Sequence, residues 1–279
     1  MIVAQYVSST KATVERLYQA SQRNQIHSWL SPPDVSINLN EASSKRYEGT
    51  GLWFLESEQF QQWMSGARKH LWIHGMPGCG KTILSSTIIK HLHWDRVQSS
   101  HVVLEFFFDF SDTDKQMVNK MFRSLVTQLY FRCEKSRKEL DTLFSKCEYG
   151  RQQPTTEALF AALHGMMSFS DKVQIIIDAL DECRERREMI QWMQKLVNIG
   201  DQRLYLLLTS RQESDIESGL KSCILEKDFI SIQQNAVDGD IREYIRGIIH
   251  GDNEFGRWQS KPSVLEEIEV ELMKKAGGM

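Results

Sequence analysis

Gly75-Met76-Pro77-Gly78-Cys79-Gly80-Lys81-Thr82 fits G-x-x-x-x-G-K-[ST], the phosphate-binding loop pattern. Its glycines let the backbone wrap closely around a phosphate, and successive N–H groups at a helix start form a preformed anion site. In this pattern Lys81 reaches the β and γ phosphates and the Thr82 hydroxyl takes one position on Mg²⁺. The same letters could make a structural Gly-rich turn, so the flanks matter. Leu71-Trp72-Ile73 reads as a strand, and Ile83, Leu84, Ile88 and Ile89 recur as on a helix. That is the strand, loop, helix order the chemistry requires.

Outward from the loop, apolar runs of strand length alternate with helical patterns. Strands are predicted at Leu71–His74, Val102–Asp109, Val173–Asp178, Leu204–Thr209 and Cys223–Leu225. Helices fall between them at Lys81–His91, Lys115–Phe131, Thr156–Met167 and Arg184–Val197. The alternation predicts an α/β fold of the P-loop type, a mainly parallel five-stranded sheet with helices on both faces. Upstream, an N-terminal helix over Thr10–Trp29 stops at Ser31-Pro32-Pro33-Asp34, a polar connector follows to Thr50, and a short helix spans Glu56–Met64. Downstream the pattern is all-helical, at Asp240–Ile249 and Val264–Lys274. The expected organisation is residues 1–45 as N-terminal helix and connector, 46–230 as the nucleotide-binding domain, and 231–279 as a partial C-terminal helical subdomain.

Two further elements converge on the same sheet edge. Ile175-Ile176-Ile177 ends directly in Asp178, followed by Ala179-Leu180-Asp181-Glu182, and ligands of open parallel sheets bind at the carboxyl ends of strands. Asp178 is therefore the expected carboxylate on the Mg²⁺ side, with Thr82. Glu182 is a candidate to orient or deprotonate the attacking water, with Asp181 assisting or ligating through solvent. Alternatively, both acids cap the Arg184–Val197 helix. Leu204–Leu208 leads into Thr209-Ser210-Arg211, where the Arg211 guanidinium either senses a γ phosphate or pairs with Glu213 or Asp215.

Composition sets the bounds. The chain has 279 residues, 41% hydrophobic and 25% charged, with a net charge of −3. Such a chain builds a real core, and it carries no overall positive field for nucleic acid or an anionic membrane. Five cysteines without a CxxC pair fit neither a disulfide framework nor a zinc ribbon and point to a reducing, cytoplasmic setting. The N-terminus lacks the pattern of a signal peptide, and no apolar run reaches membrane-spanning length.

Other residues carry weaker readings. Cys79 raises redox gating against the blander reading of a small loop residue. His91 and His93 form H-x-H without a nearby Cys or carboxylate set, so surface or core histidines are favoured over a metal site. Trp53, Phe54, Trp63 and Trp72 include possible adenine-stacking rings, although core burial is the commoner fate, and the Arg46–Gly51 loop is expected near the base. In Arg184-Glu185-Arg186-Arg187-Glu188, mixed signs such as Glu182 with Arg186 favour a solvated helix face over a nucleic-acid patch.

As a set, Gly75–Thr82, Asp178-Ala179-Leu180-Asp181-Glu182 and Thr209-Ser210-Arg211 resemble the NACHT family of STAND-class P-loop NTPases. Trp29-Leu30-Ser31-Pro32-Pro33-Asp34 and Gly49-Thr50-Gly51-Leu52-Trp53-Phe54-Leu55, ahead of Leu71-Trp72-Ile73, are similar to fungal proteins of the NOD-like receptor type. The resemblance runs from about Trp29 to the C-terminus. It implies an ATP/ADP switch in signal transduction, of the innate-immunity or incompatibility kind. ADP holds a closed monomer, exchange for ATP drives self-association through the nucleotide domain, and slow Mg²⁺-dependent hydrolysis resets the state. It also implies an N-terminal effector and a C-terminal sensor of ankyrin, WD or TPR repeats. No repeat array follows here, and Met273–Met279 resembles an interior stretch of the family's helical region, so the chain reads as a fragment with apolar surface exposed near Ile249 and Leu272.

Two rivals remain. Asp181-Glu182-Cys183-Arg184 suggests a helicase-like motor, against which the apolar strand ends at Asp178 and the chain is not basic. The other is a nucleotide-binding interaction module that does not hydrolyse. A small-molecule kinase lacks any acceptor-site signature.

Overall fold

The computed structural model describes residues 2–95, 101–232, 234–251, 258 and 261–276. In chain order its elements are α1 (Ile2–Leu30), α2 (Ser36–Lys45), α3 (Leu52–Leu55), α4 (Glu58–Ser65), β1 (His70–His74), α5 (Lys81–Asp95), β2 (His101–Phe107), α6 (Val118–Arg132), α7 (Arg137–Lys146), α8 (Thr156–Met167), β3 (Lys172–Asp178), α9 (Arg186–Asn198), β4 (Leu204–Ser210), α10 (Ser214–Lys221), β5 (Phe229–Ser231), α11 (Gln234–Gly251) and α12 (Pro262–Ala276). They form two compact units, Met1–Asp34 with Asn119–Ser170, and Val35–Val118 with Asp171–Met279. No helix among the described residues is long and apolar enough to cross a membrane.

The first unit is helical. The buried Arg123 donates from Nη1 to the carbonyls of Leu30 (2.9 Å) and Trp29 (3.3 Å), so a side chain satisfies the orphan acceptors at the end of α1. Trp29 Nε1 donates to the Gln152 carbonyl at 2.8 Å, and Thr155 caps α8 by accepting from the Ala158 amide.

The second unit holds the sheet, in the order β2-β3-β4-β1-β5 with every pairing parallel. All seven residues of β3 and of β4 are buried, as inner strands of a parallel sheet covered on both faces are. Phe54, Phe60 and Trp63 close a core with Leu84, Ile88, Ile89 and Leu92 of α5 against Leu71, Ile73, Val103, Ile176 and Leu207. Each such side chain contributes about 1.5 to 3 kcal/mol on burial. Because β4 lies between β1 and β3, the loops after these three strands open on one edge.

Several sequence expectations need correction. The polar connector Asp34–Thr50 contains the α2 helix, because Val35, Leu39 and Ala42, at i, i+4 and i+7, pack inward. The expected helix at Glu56–Met64 is shifted to Glu58–Ser65, where Ser57 caps it by accepting from the Phe60 amide. The fifth strand is not Cys223–Leu225 but Phe229–Ser231; the Cys223 and Ile224 amides are spent on the Leu220 carbonyl at the end of α10. Helices α7 and α10 were not expected at all. Near the C-terminus Ile249 is buried with Leu265, whereas Leu272 is exposed. Thus only one of the two positions expected to expose apolar surface does so.

His70, beside Lys69 at the start of β1, has a buried Nδ1 without a hydrogen-bond partner. Burial, aided by the Lys69 charge, lowers its pKa from 6.5 to about 4. The unfolded chain therefore takes up this proton first. Stability from neutral His70 is complete above about pH 6.5 and is lost as pH falls towards 4, by roughly 3 kcal/mol for a shift of that size. His70→Phe is expected to flatten the fall of the urea midpoint over this range; an unchanged fall contradicts the assignment.

Candidate nucleotide-binding site

The loop between β1 and α5 is shaped by its glycines. Gly78 and Gly80 adopt φ of +78° and +83°, conformations that disfavour other residues. A Cβ at either position would meet no protein atom within 4 Å, so the backbone here faces clear space of the kind a phosphate fills. Gly75 is glycine for a different reason, since a Cβ there would lie 2.7 Å from Cys79 Sγ. Lys81 Nζ donates to the carbonyls of Gly75 (2.9 Å) and Met76 (2.8 Å), which tethers the cation over its own loop. Pro77 completes the turn, and Met76 is exposed.

Asp178 ends β3 fully buried, and three hydroxyls point at it. Thr82 donates to Oδ2 at 2.7 Å, and Ser85 and Thr209 donate to Oδ1 at 2.6 Å each. Burial raises the Asp178 carboxyl above its ordinary range, while these hydroxyls and Lys81 pull the other way. A hard cation suits this donor set, a carboxylate beside a threonine hydroxyl. Ala179 then takes the left-handed conformation, φ +56°, a cost a small residue limits. Its amide donates to Thr209 Oγ1 at 3.0 Å, which locks the turn.

The structure separates the two acids that follow. Asp181 accepts from the Arg211 amide (2.9 Å) and from Arg211 Nε (3.0 Å). Glu182 Oε2 accepts from the Phe110 amide at 3.0 Å. Neither caps α9, which begins after Glu185. Arg211 therefore pairs with Asp181 rather than with Glu213 or Asp215, the carboxylates that Arg186 faces at 3.5 and 3.4 Å. Arg186 turns to these and to the Asp181 carbonyl instead of pairing with Glu182. Burial raises the Glu182 carboxyl; the Phe110 bond opposes this, and the charges of Asp181, Asp109 and Asp178 add to it.

Two cavities meet these groups. One of about 330 Å³ is lined by Gly78, Cys79 and Gly80 together with Arg46, Tyr47, Thr50, Gly51 and Trp53, and by Ile232, Asp240, Ile241 and Tyr244. The Arg46–Gly51 loop thus stands beside the phosphate loop. Of the four aromatic candidates only Trp53 lines this cavity; Phe54, Trp63 and Trp72 are core residues. The second, about 390 Å³, is lined by Thr82, Asp178, Glu182, Asp109 and Asn38 among others. His91 meets the Phe60 ring and His93 faces Glu105 at 3.5 Å. No cluster of three or more His, Cys, Asp or Glu suited to a metal occurs among the described residues.

Sequence reasoning missed Ser85 and Asp240, and it placed Thr209 at this sheet edge without giving it a role at Asp178. Ser85 stands three residues after Thr82 on the same helix face, a spacing that could have marked it. Asp240 accepts from the Gly51 amide (2.8 Å) and Trp53 Nε1 (3.1 Å), contacts across nearly 190 residues that no local pattern announces.

The family described as Nephrocystin 3, N-terminal, matches residues 49–211. Vegetative incompatibility protein HET-E-1 of Podospora anserina is 28% identical over 194 residues, covering 66% of this chain and 14% of its own length. Among solved structures, the Aeropyrum pernix ORC1 protein in complex with DNA aligns over 71% of this chain and 50% of its own, with TM-score 0.44 and 11% identity. Domain III of the Thermotoga maritima replication initiation protein DnaA aligns over 84% of this chain and 83% of its own, with TM-score 0.42 and 13% identity.

Proposed function

Because the chain belongs to the Nephrocystin 3, N-terminal, family, we propose that it is the nucleotide-binding part of a NACHT/STAND-type switch. In this reading it binds ATP or ADP with Mg²⁺, hydrolyses ATP slowly and self-associates according to the nucleotide held. The likeness to HET-E-1, a vegetative incompatibility protein, supports a role in incompatibility-like signalling; we further propose that the chain acts in the cytoplasm, with an effector and a repeat sensor as partner regions. The observation that carries the reading is the joining of Thr82, Ser85 and Thr209 on the buried Asp178, beside a glycine loop with clear space in front of its backbone.

The roles follow from the residues. The amides of Gly78 to Thr82 bind phosphate oxygens at the start of α5. Lys81 exchanges its two loop carbonyls for phosphate oxygens, a charge-assisted bond for a neutral one. Thr82 and Asp178 hold Mg²⁺, which supplies positive charge against the phosphates. Glu182 accepts the proton of the attacking water, a task to which a raised pKa is suited. Arg211, fixed by Asp181, offers its guanidinium at the γ-phosphate side. The Arg46–Gly51 loop, Trp53 and Asp240 enclose the nucleoside.

Asp178 must be ionised to hold Mg²⁺, and its carboxyl titrates above the usual value of about 4. The gain in nucleotide affinity from Mg²⁺, measured by calorimetry, is therefore expected to fall as pH is lowered through a range above that value. Asp178→Ala should abolish the gain at every pH. Full Mg²⁺ dependence in this variant would refute the metal assignment.

A further inference from the structure

Helix α2 lies outside the matched residues 49–211, yet its Asn38, Glu41, Ala42 and Lys45 line the second cavity, and Asn38 bonds to the loop beside it. Asn38 Nδ2 donates to Asp109 Oδ2 at 2.8 Å, and Asn38 Oδ1 accepts from Lys115 Nζ at 2.6 Å. The other Asp109 oxygen accepts from the Ser111 amide (2.8 Å) and hydroxyl (2.5 Å), so neither oxygen is free to swing. Lys115 is only 2% exposed, an expensive place for a cation, and Asp112 lies 3.7 Å from it. The next peptide is held as well, since Gln116 Nε2 donates to the Phe110 carbonyl at 2.7 Å. The N–H of this braced segment is the donor to Glu182 Oε2.

We propose that Asn38 and Lys115 are positioning residues for Glu182, which they aim through Asp109 and the Phe110 amide. This rests on the reading of Glu182 as the group that accepts the proton of water. A packing role alone does not account for a buried lysine whose closest partner is the amide that grips Asp109. Nor does it account for a chain of hydrogen bonds that ends on the carboxylate facing the phosphate side. If the brace is cut, the Phe110 amide loses its fixed direction and Glu182 loses its fixed acceptor geometry, while the glycine loop, Lys81 and Asp178 stay as they are.

The test uses Asn38→Leu, a change in a half-buried helix position, with Lys115→Met as the second variant. Two readouts are taken. In the folded wild type, the Phe110 amide resonance is expected to follow one protonation step that disappears in Glu182→Gln. In Asn38→Leu that coupling should vanish, and Phe110 amide exchange should accelerate at least tenfold. Single-turnover ATP hydrolysis should fall about tenfold or more, with ATP affinity within about twofold of wild type. In the Glu182→Gln background, Asn38→Leu should add no further loss. Unchanged Phe110 exchange and titration in both variants, or losses that multiply in the double mutant, overturn the proposal. If Glu182→Gln hydrolyses like wild type, the proton-acceptor role fails by itself, and the Phe110 resonance alone then decides whether the brace aims this carboxylate.

Discussion

Lys81→Ala is expected to lower the affinity for ATP at least tenfold in calorimetric titration. Lys81 Nζ is held over the loop by the carbonyls of Gly75 and Met76, at 2.9 and 2.8 Å. Exchanging them for charged phosphate oxygens makes bonds of the charge-assisted kind, which contribute about 1.5 to 3 kcal/mol, and every 1.4 kcal/mol is tenfold in affinity. The fold should survive, because Lys81 is outside the core formed by Leu84, Ile88 and Ile89. Unchanged ATP affinity in a variant with wild-type thermal unfolding would remove the phosphate loop from the account.

The second large effect concerns hydrolysis rather than binding. Glu182→Gln is expected to slow single-turnover ATP hydrolysis about 100-fold or more, the range for a lost general base, while ATP affinity changes by less than about twofold. The amide retains an acceptor for the Phe110 N–H and cannot take a proton, so the variant isolates the chemical role. The wild-type rate should also fall on acidification through a range above the usual glutamate value of about 4.3, since burial raises this carboxyl. A Glu182→Gln rate equal to wild type would favour the non-hydrolysing module.

The sheet and its active edge were legible because they are written in local pattern. Ile175–Ile177 is an unbroken apolar run inside β3, and the loop after Leu71–Ile73 carries its glycines at fixed spacing, so the strand and the strand–loop–helix order could be read directly. Helix α2 was obscured because just three residues, Val35, Leu39 and Ala42, mark its inner face amid polar ones. Strand β5 has three residues and pairs with β1 at the end of the strand order, too short for alternation to register, whereas Cys223-Ile224-Leu225 nearby is the more apolar triplet. Long-range partners were beyond reach. Nothing near Asp181 announces Arg211 as its counter-ion, nothing near Glu182 announces the Phe110 amide, and Asp240 meets Gly51 and Trp53 only once the chain has folded.

These distinctions change the meaning of the acidic run. Asp178, Asp181 and Glu182 are close in sequence and have three different partners: a set of hydroxyls, an arginine and a backbone amide. Metal holding, guanidinium placement and proton acceptance are thereby divided among them in the proposed mechanism.

The most direct test of the central claim is the nucleotide content of the purified protein. The chain is to be isolated with and without Mg²⁺, denatured, and the released small molecules separated by ion-exchange chromatography. The account predicts that ADP or ATP accompanies the wild-type protein in near-stoichiometric amount and is absent from Lys81→Ala. Wild-type protein that carries no nucleotide, and that binds neither ATP nor ADP when either is added back with Mg²⁺, would contradict it.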